Sequence, residues 1–329
     1  MIRYGILGFG HHAIKRMVPG FSYAQSSQLA GLWRRDPVKA EANARAYSIP
    51  RVFASAGDLC ASPEIDAVFI ASPDALHLAD VLTAARHGKH ILCEKPLAMN
   101  ASEAEQMLSA ANAAGIRFGV AQNMRYYRSL ELIRQWIAEG RIGAPALAQS
   151  QFAFNAAASP RVWIYDSSLA LGGPIGDVAI HCIDALRFIL DTTVAQISTL
   201  AHRDAHSGSV ESHAALALAF ASGAMGAVTV TTRTAYRTVI EVVGETGAIL
   251  CENGLTVDHP VEVMLRRRTE VESVETVSNA DAYGRMLDGF SAWIEGGVEY
   301  RSPGTDGLIN QRILDAAYRS WRTGETQTP

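Results

Sequence analysis

IRYGILGFGHHA, residues 2–13, decides the architecture. It is a short apolar run ending in glycines, and Gly8, Gly10 and Ala13 fill the pattern G-x-G-x-x-G/A. Gly8 permits a tight turn, Gly10 lets the backbone approach a pyrophosphate, and Ala13 keeps the following helix close to a sheet. That helix, starting in HHAIKRMVPGF, offers amides without intrahelical partners and positive potential to phosphates. Phe9, His11 and His12 share the loop and join the candidate cofactor contacts; a histidine there either touches phosphate or caps toward solvent. No G-K-[ST] comes next, which excludes a P-loop.

The pattern is weak alone and gains weight from the strand–helix alternation downstream. QLAGLWRR reads as a strand and DPVKAEANARAYSI as an Ala-rich helix with Pro37 in its first turn. IDAVFIASP, HLADVLTAARHG, HILCEKP, NASEAEQMLSAANAAG and IRFGVAQN continue the alternation, with Asn100 or Ser102 as a helix cap and Glu103 satisfying first-turn amides. Short apolar strands separated by helices of ten or more residues predict a parallel sheet covered on both faces. Such sheets bind ligands at the carboxyl ends of their strands. Gly8, Gly10, Ser72, Pro73, Glu94, Lys95, Pro96 and Gln122 fall at those ends.

The tip of the second strand bears on cofactor choice. A carboxylate there chelates the ribose 2′-hydroxyl of NAD, whereas GLWRRDP offers Arg34 and Arg35, with Asp36 just beyond. Guanidinium groups bind phosphate through charge-assisted, often bidentate bonds, so NADP(H) is the expected cofactor. A solvated basic corner is the plainer reading of the same pair, and Asp36 leaves NAD(H) open.

With 329 residues the chain is long enough for two domains. A hydrophobic fraction of 48% and a charged fraction of 19% fit an ordinary globular protein. A net charge of −4 gives no long-range attraction to nucleic acid or anionic lipid, and no apolar run reaches the length of a membrane span. The N-terminus reads as a first strand and not as a signal peptide. Cys60, Cys93, Cys182 and Cys251 lack paired spacing, so buried free thiols in the cytoplasm are expected, with no disulfide and no metal site.

After NMRYYRSLELIRQWIAEGRIG, read as one helix, strand-like pieces dominate: ALAQSQFAF, AQISTLAH, SHAALALAFASGAMGAVTVTT, TVIEVVGETGAILCEN and VEVMLRR. Helices are expected near residues 177–190, 282–295 and 307–322. The fold class is therefore α/β: an N-terminal dinucleotide-binding Rossmann domain, residues 1–122, and a C-terminal α+β domain, residues 123–329, with a large, mainly antiparallel sheet. The C-terminal helix is allowed to pack back on the first domain. An open sheet needs cover, which predicts a homo-oligomer, a dimer or tetramer.

GGPIGDVAIHCID, residues 172–184, carries the second domain's chemistry. Asp177 stands four residues before His181 and on its helical face, with Asp184 three residues after it. Histidine exchanges protons near neutral pH, as hydride transfer to or from a carbinol carbon requires. Lys95 can polarise the reacting carbonyl through its charge. A core histidine satisfied by Asp177 is the structural alternative. Asp184 either assists His181 or ties the helix to the second sheet. Arg125, Tyr126 and Tyr127 at the start of the second domain, and Arg161, Trp163 and Tyr165, supply hydroxyl-binding groups and aromatic faces for a carbohydrate or polyol, though Trp and Tyr are also ordinary packing groups.

Together GFGHHA, SPDALH at 72–77, EKP at 94–96 and GGPIGDVAIHCID resemble the family of glucose-fructose oxidoreductase, inositol dehydrogenase and rhizopine-type oxidoreductases. The resemblance covers nearly the whole chain; AEGRIG and DALRFIL resemble a branch of NADP-dependent sugar reductases. It implies that Lys95 contacts the nicotinamide region and a substrate oxygen, that Asp177 orients substrate or histidine, and that His181 carries the proton. It further implies that Ser72, Pro73 and His77 line the nicotinamide side and that Glu94 is a cofactor-side carboxylate. The acidic residue of NAD-using members after strand two is replaced here by Arg34. The function expected is an NADP(H)-preferring oxidoreductase of a sugar, anhydrosugar or polyol. The alternatives are an NAD-dependent glycosidase using transient redox and elimination, and a cofactor-sensing binding protein without turnover.

Overall fold

A computed structural model describes residues 1–157 and 159–329. The first stretch alternates strand and helix: β1 Ile2–Leu7, α1 Val18–Tyr23, β2 Ser27–Trp33, α2 Pro37–Ala46, β3 Arg51–Val52, α3 Ala56–Ala61, β4 Ala67–Ile70, α4 His77–Arg86, β5 His90–Cys93, α5 Ala101–Ala113 and β6 Phe118–Val120. All six strands are parallel, in the order β3-β2-β1-β4-β5-β6. This is the doubly wound order, and its crevice opens where β1 and β4 diverge. Leu7, Val68, Ile70, Ile91 and Cys93 are buried between the helices, which is why these strands are apolar throughout instead of alternating. Local caps fix the helix starts. The Asp36 side chain accepts from the Lys39 amide ahead of α2, and Asn100 accepts from the Glu103 amide ahead of α5 while Glu103 accepts from Met99.

Downstream come α6 Arg128–Ala138, β7 Pro145–Asn155, α7 Ile180–Leu190, β8 Val194–His202, β9 His213–Phe220, β10 Met225–Thr231, β11 Arg233–Gly244, β12 Ala248–Glu252, β13 Val261–Arg267, β14 Glu270–Val277, α8 Ala282–Ile294 and α9 Gly304–Thr323. The eight strands form one sheet, β14-β13-β12-β11-β7-β10-β9-β8, antiparallel except where β10 runs parallel to β7. In β9 the residues Ala214, Leu216, Leu218 and Phe220 are buried while Ala215 and Ala217 face out, the period-two pattern of a sheet covered on one face.

The chain divides into two compact units: Met1–Gln122 with Ser168–Leu171 and Tyr283–Gln311, and Asn123–Ser167 with Gly172–Ala282 and Arg312–Pro329. The sequence sets one boundary, between 122 and 123, and allows the C-terminal helix to pack back on the first domain; in the structure most of α8 and the start of α9 group with the first unit. The reason is polar as well as apolar. Asp288 on α8 accepts from the amides of Gln25 and Ser26 and the hydroxyls of Ser26 and Ser27, and Tyr300 donates to the Val120 carbonyl.

Other local readings change too. The helix after the glycines opens as a π-turn, Ala13–Met17, before α1. NMRYYRSLELIRQWIAEGRIG is not one helix but a 3-10 turn, Asn123–Tyr126, then α6, because Tyr127 takes an extended conformation at φ −73° and ψ 126°. Among the described residues no helix is long and apolar enough to cross a membrane.

Candidate functional site

In the first unit the expected cofactor residues gather at the strand tips. Gly8 has φ 77°, and a Cβ there would lie 2.5 Å from the Ser72 amide nitrogen, so only glycine lets the β1 and β4 tips approach each other. Gly10 differs: its Cβ position meets nothing nearer than the Gly8 carbonyl at 3.6 Å. The protein alone does not demand glycine there, which fits a backbone surface kept clear for a phosphate group.

His12 lies half-buried with Nε2 2.8 Å from the Glu94 carboxylate, bridging the glycine loop to the β5 tip, while His11 is exposed. Glu94, 8% exposed, also accepts from the Lys95 amide. Lys95 is half-buried. Gln122 is 1% exposed, and its carboxamide oxygen has no hydrogen-bond partner among the described residues. A buried amide oxygen left so costs about 1–3 kcal/mol unless a ligand or water meets it.

Two expected cofactor contacts are braced from within the protein. The Phe9 ring is wholly buried beside Tyr47, and its N–H donates to the Trp33 carbonyl, so its side chain fixes the loop from behind. His77 is fully buried, with Nδ1 3.1 Å from the Pro96 carbonyl and 3.2 Å from that of Leu97, and Nε2 3.0 Å from that of Ser72. The ring thus lies between the loop before Pro73 and the loop after Lys95. Ser72 donates to Asp80 at 2.6 Å, and burial pushes that carboxyl above its usual range.

At the β2 tip Arg34 is half-buried and Arg35 exposed, and neither guanidinium has a partner among the described residues. Asp36 is engaged as the α2 cap, its pKa held down first by the Lys39 amide.

In the second unit Asp177 sits on a π-turn, Ile175–Ala179, that leads directly into α7 with His181. Along residues 172–189 only Asp177 and His181 are not buried, so a single polar face is presented from an apolar run. Arg161 lies 3.2 Å from the Asp177 carboxylate, bringing two expected substrate residues together. Trp163 is half-buried on the adjoining 3-10 turn, Val162–Tyr165. The Phe152 ring stacks on the His181 imidazole, 6.4 Å between centroids and 25° between planes. Nothing in the sequence marks Phe152, whose position on β7 looks like that of any sheet aromatic.

Arg125 and Tyr126, expected to face substrate, are buried. Arg125 forms a fork with Asp184, Nε to Oδ2 at 2.9 Å and Nη2 to Oδ1 at 2.6 Å, with Arg187 3.8 Å from the same carboxylate. This gives Asp184 the tying role, joining α7 to the turn before α6. Among the described residues no cluster of His, Cys, Asp or Glu is arranged to hold a metal ion.

A doubly wound sheet with a glycine loop and a clear phosphate approach at its tips has the form of a dinucleotide-binding domain. Residues 2–122 match the oxidoreductase family with an NAD-binding Rossmann fold, and residues 130–250 match the GFO/IDH/MocA C-terminal domain. The chain belongs to this GFO/IDH/MocA family of oxidoreductases. It is 31% identical over 329 residues to a 1,5-anhydro-D-fructose reductase of Ensifer adhaerens, covering 99% of this chain and 98% of the relative. It is 30% identical over 337 residues to an inositol 2-dehydrogenase of Rhizobium meliloti, covering 97% and 96%. The fold is similar to that of an aldose-aldose oxidoreductase from Caulobacter crescentus complexed with glycerol, with TM-score 0.91, 24% identity and coverage of 100% and 99%.

Proposed function

We propose that this enzyme is an NADP(H)-preferring oxidoreductase acting on a sugar, anhydrosugar or polyol. The observation that carries the cofactor preference is the pairing of partnerless Arg34 and Arg35 with an Asp36 already committed as a helix cap. A capping carboxylate is poorly available to a ribose diol, whereas two unpaired guanidiniums suit a 2′-phosphate. A relative in Haloferax volcanii, 29% identical over 322 residues, is a D-xylose 1-dehydrogenase (NADP(+)). Names of the relatives support the carbohydrate class, as does the polar face of Asp177, His181 and Arg161.

Bound nicotinamide supplies hydride chemistry. The amides of the glycine loop would hold its phosphates, the His12–Glu94 pair would brace that loop against the β5 tip, and the Gln122 oxygen would accept from a polar group at the β6 tip. The His181 imidazole exchanges a proton with the reacting oxygen, Phe152 fixes the ring plane, and Asp177 with Arg161 orients substrate hydroxyls. The Lys95 ammonium offers positive charge at the β5 tip, suited to stabilising an alkoxide-like oxygen.

The exposed sheet face, with Leu147, Leu200, Met225 and Val243 open to solvent, is taken to pair with a second copy. Four buried free thiols suit the reducing cytoplasm.

Fluorescence titration with both cofactors, followed by a panel of sugars and polyols, tests the reading. NADPH should bind more tightly than NADH by about 1–3 kcal/mol, the worth of one charged hydrogen bond, and Arg34→Ala with Arg35→Ala should abolish the difference. Equal affinity in the wild type refutes the preference, and inactivity across carbohydrates refutes the substrate class.

A further inference from the structure

Glu211 is 1% exposed, between β8 and β9. Its Oε1 accepts the Ile175 N–H at 2.8 Å and the Tyr318 hydroxyl at 3.0 Å. No cation pairs with it among the described residues. Ile175 opens the π-turn that bears Asp177 two residues on. Its N–H is among the first-turn donors for which a helix supplies no acceptor, and a carboxylate at that end is favoured by the helix dipole.

The glycines of GGPIGDVAIHCID belong to the same joint. A Cβ on Gly172 would lie 1.7 Å from the Tyr318 hydroxyl, and one on Gly173 would lie 1.9 Å from the Glu211 carbonyl oxygen. Both glycines are therefore required because the loop before the turn lies directly on Tyr318 and on the Glu211 backbone. Three segments distant in sequence thus converge on the first turn of the helix that carries Asp177 and His181. Arg161 holds the Asp177 carboxylate from one side; Glu211 holds the backbone beneath it.

We infer that Glu211 and Tyr318 are positioning residues for the reaction, setting the first turn of the Asp177–His181 helix so that the Asp177 carboxylate meets substrate in productive geometry. This rests on the reading that Asp177 acts on substrate. Misplacement of about 1 Å can cost up to about 10²-fold in rate, so loss of a charged anchor two residues away should be visible in kcat. Glu211→Gln keeps an acceptor of the same shape and removes the charge; Tyr318→Phe removes one donor.

The test is a double-mutant cycle with Asp177→Asn, reading kcat, cofactor Kd and Tm. Glu211→Gln should lower kcat about tenfold with cofactor Kd unchanged, and Tyr318→Phe should lower it less. In the Asp177→Asn background Glu211→Gln should have no further effect, because the group it positions has gone. Equal losses in both backgrounds, or losses in Tm alone, overturn the inference. Wild-type kcat in Asp177→Asn itself would instead overturn the role of Asp177. Should Glu211→Gln fail to fold, Tyr318→Phe decides by the same cycle.

Discussion

Replacing Arg125 by Met separates two roles that its residue type allows. Arg125 and Asp184 are 7% and 0% exposed, and two hydrogen bonds of 2.6 and 2.9 Å join them in a fork. Removing the guanidinium strips both fork bonds from a carboxylate buried in an apolar helix, with Arg187 3.8 Å away. Breaking one side of a buried pair costs about 3–5 kcal/mol, because the surviving charge keeps its desolvation penalty. For a domain of roughly 150–250 residues each kcal/mol moves Tm by about 2–4 °C, so Arg125→Met should lower Tm by roughly 6–20 °C. Removing both charges, as Arg125→Met with Asp184→Leu, eliminates that carboxylate and should recover part of the loss, the remainder falling on buried Arg187, which loses its anionic neighbour. Thermal unfolding followed by circular dichroism, with KM measured well below Tm, distinguishes the roles. A variant that melts within about 1 °C of wild type but shows a large rise in KM would refute the structural assignment and return Arg125 to the substrate.

His181→Ala should lower kcat about 10²- to 10⁴-fold, the range for lost acid–base catalysis, with near-normal cofactor Kd; a folded variant with wild-type kcat removes His181 from the mechanism. Burial pushes Cys60, Cys182 and Cys251 up to about 12 and Cys93 well above its ordinary value, so Ellman's reagent should react slowly with native protein and promptly with 4 thiols after denaturation. Rapid native labelling would contradict that burial. The hydrogen bond from Arg3 holds Asp66 below the usual carboxylate range, and that from Arg233 does the same for Asp204. Their folded-state pKa values lie below the unfolded ones, so their stabilisation is complete above the unfolded value of about 3.9 and is lost as pH falls through the folded values. Tm should therefore decline below about pH 4, and less steeply in Asp66→Asn; identical slopes would exclude Asp66 as a contributor.

The first sheet is readable in the sequence because parallel strands buried on both faces write themselves as short apolar runs between helices, as AVFI at Ala67–Ile70 does. Its strand order follows from connectivity rules and not from any residue. By contrast β14, EVESVETV, is mostly exposed and acidic, and no apolar alternation marks it. Its pairing with β13 supplies what its composition does not. Assignment of α8 to the first unit is likewise invisible, since Asp288 reads as an ordinary helix-surface acid until its four hydrogen bonds from Gln25, Ser26 and Ser27 are seen.

For the site, residue type and strand-tip position select candidates, and hydrogen-bonding capacity then sorts them. His77, Phe9 and Arg125 stand where ligand contacts are expected, yet neighbouring backbone or carboxylate groups occupy the His77 and Arg125 nitrogens and the Phe9 amide. Arg34, Arg35 and the Gln122 carboxamide oxygen retain theirs. No spacing rule separates the two groups, because the partners lie far away in sequence: Asp184 is 59 residues from Arg125, and Pro96 is 19 from His77. A folded protein tolerates a partnerless buried polar group only at a cost of about 1–3 kcal/mol. That cost applies to the Gln122 oxygen, buried at the β6 tip where a polar group of a ligand or a water can meet it, and not to Arg34 and Arg35, which are half-buried and exposed and can be hydrated.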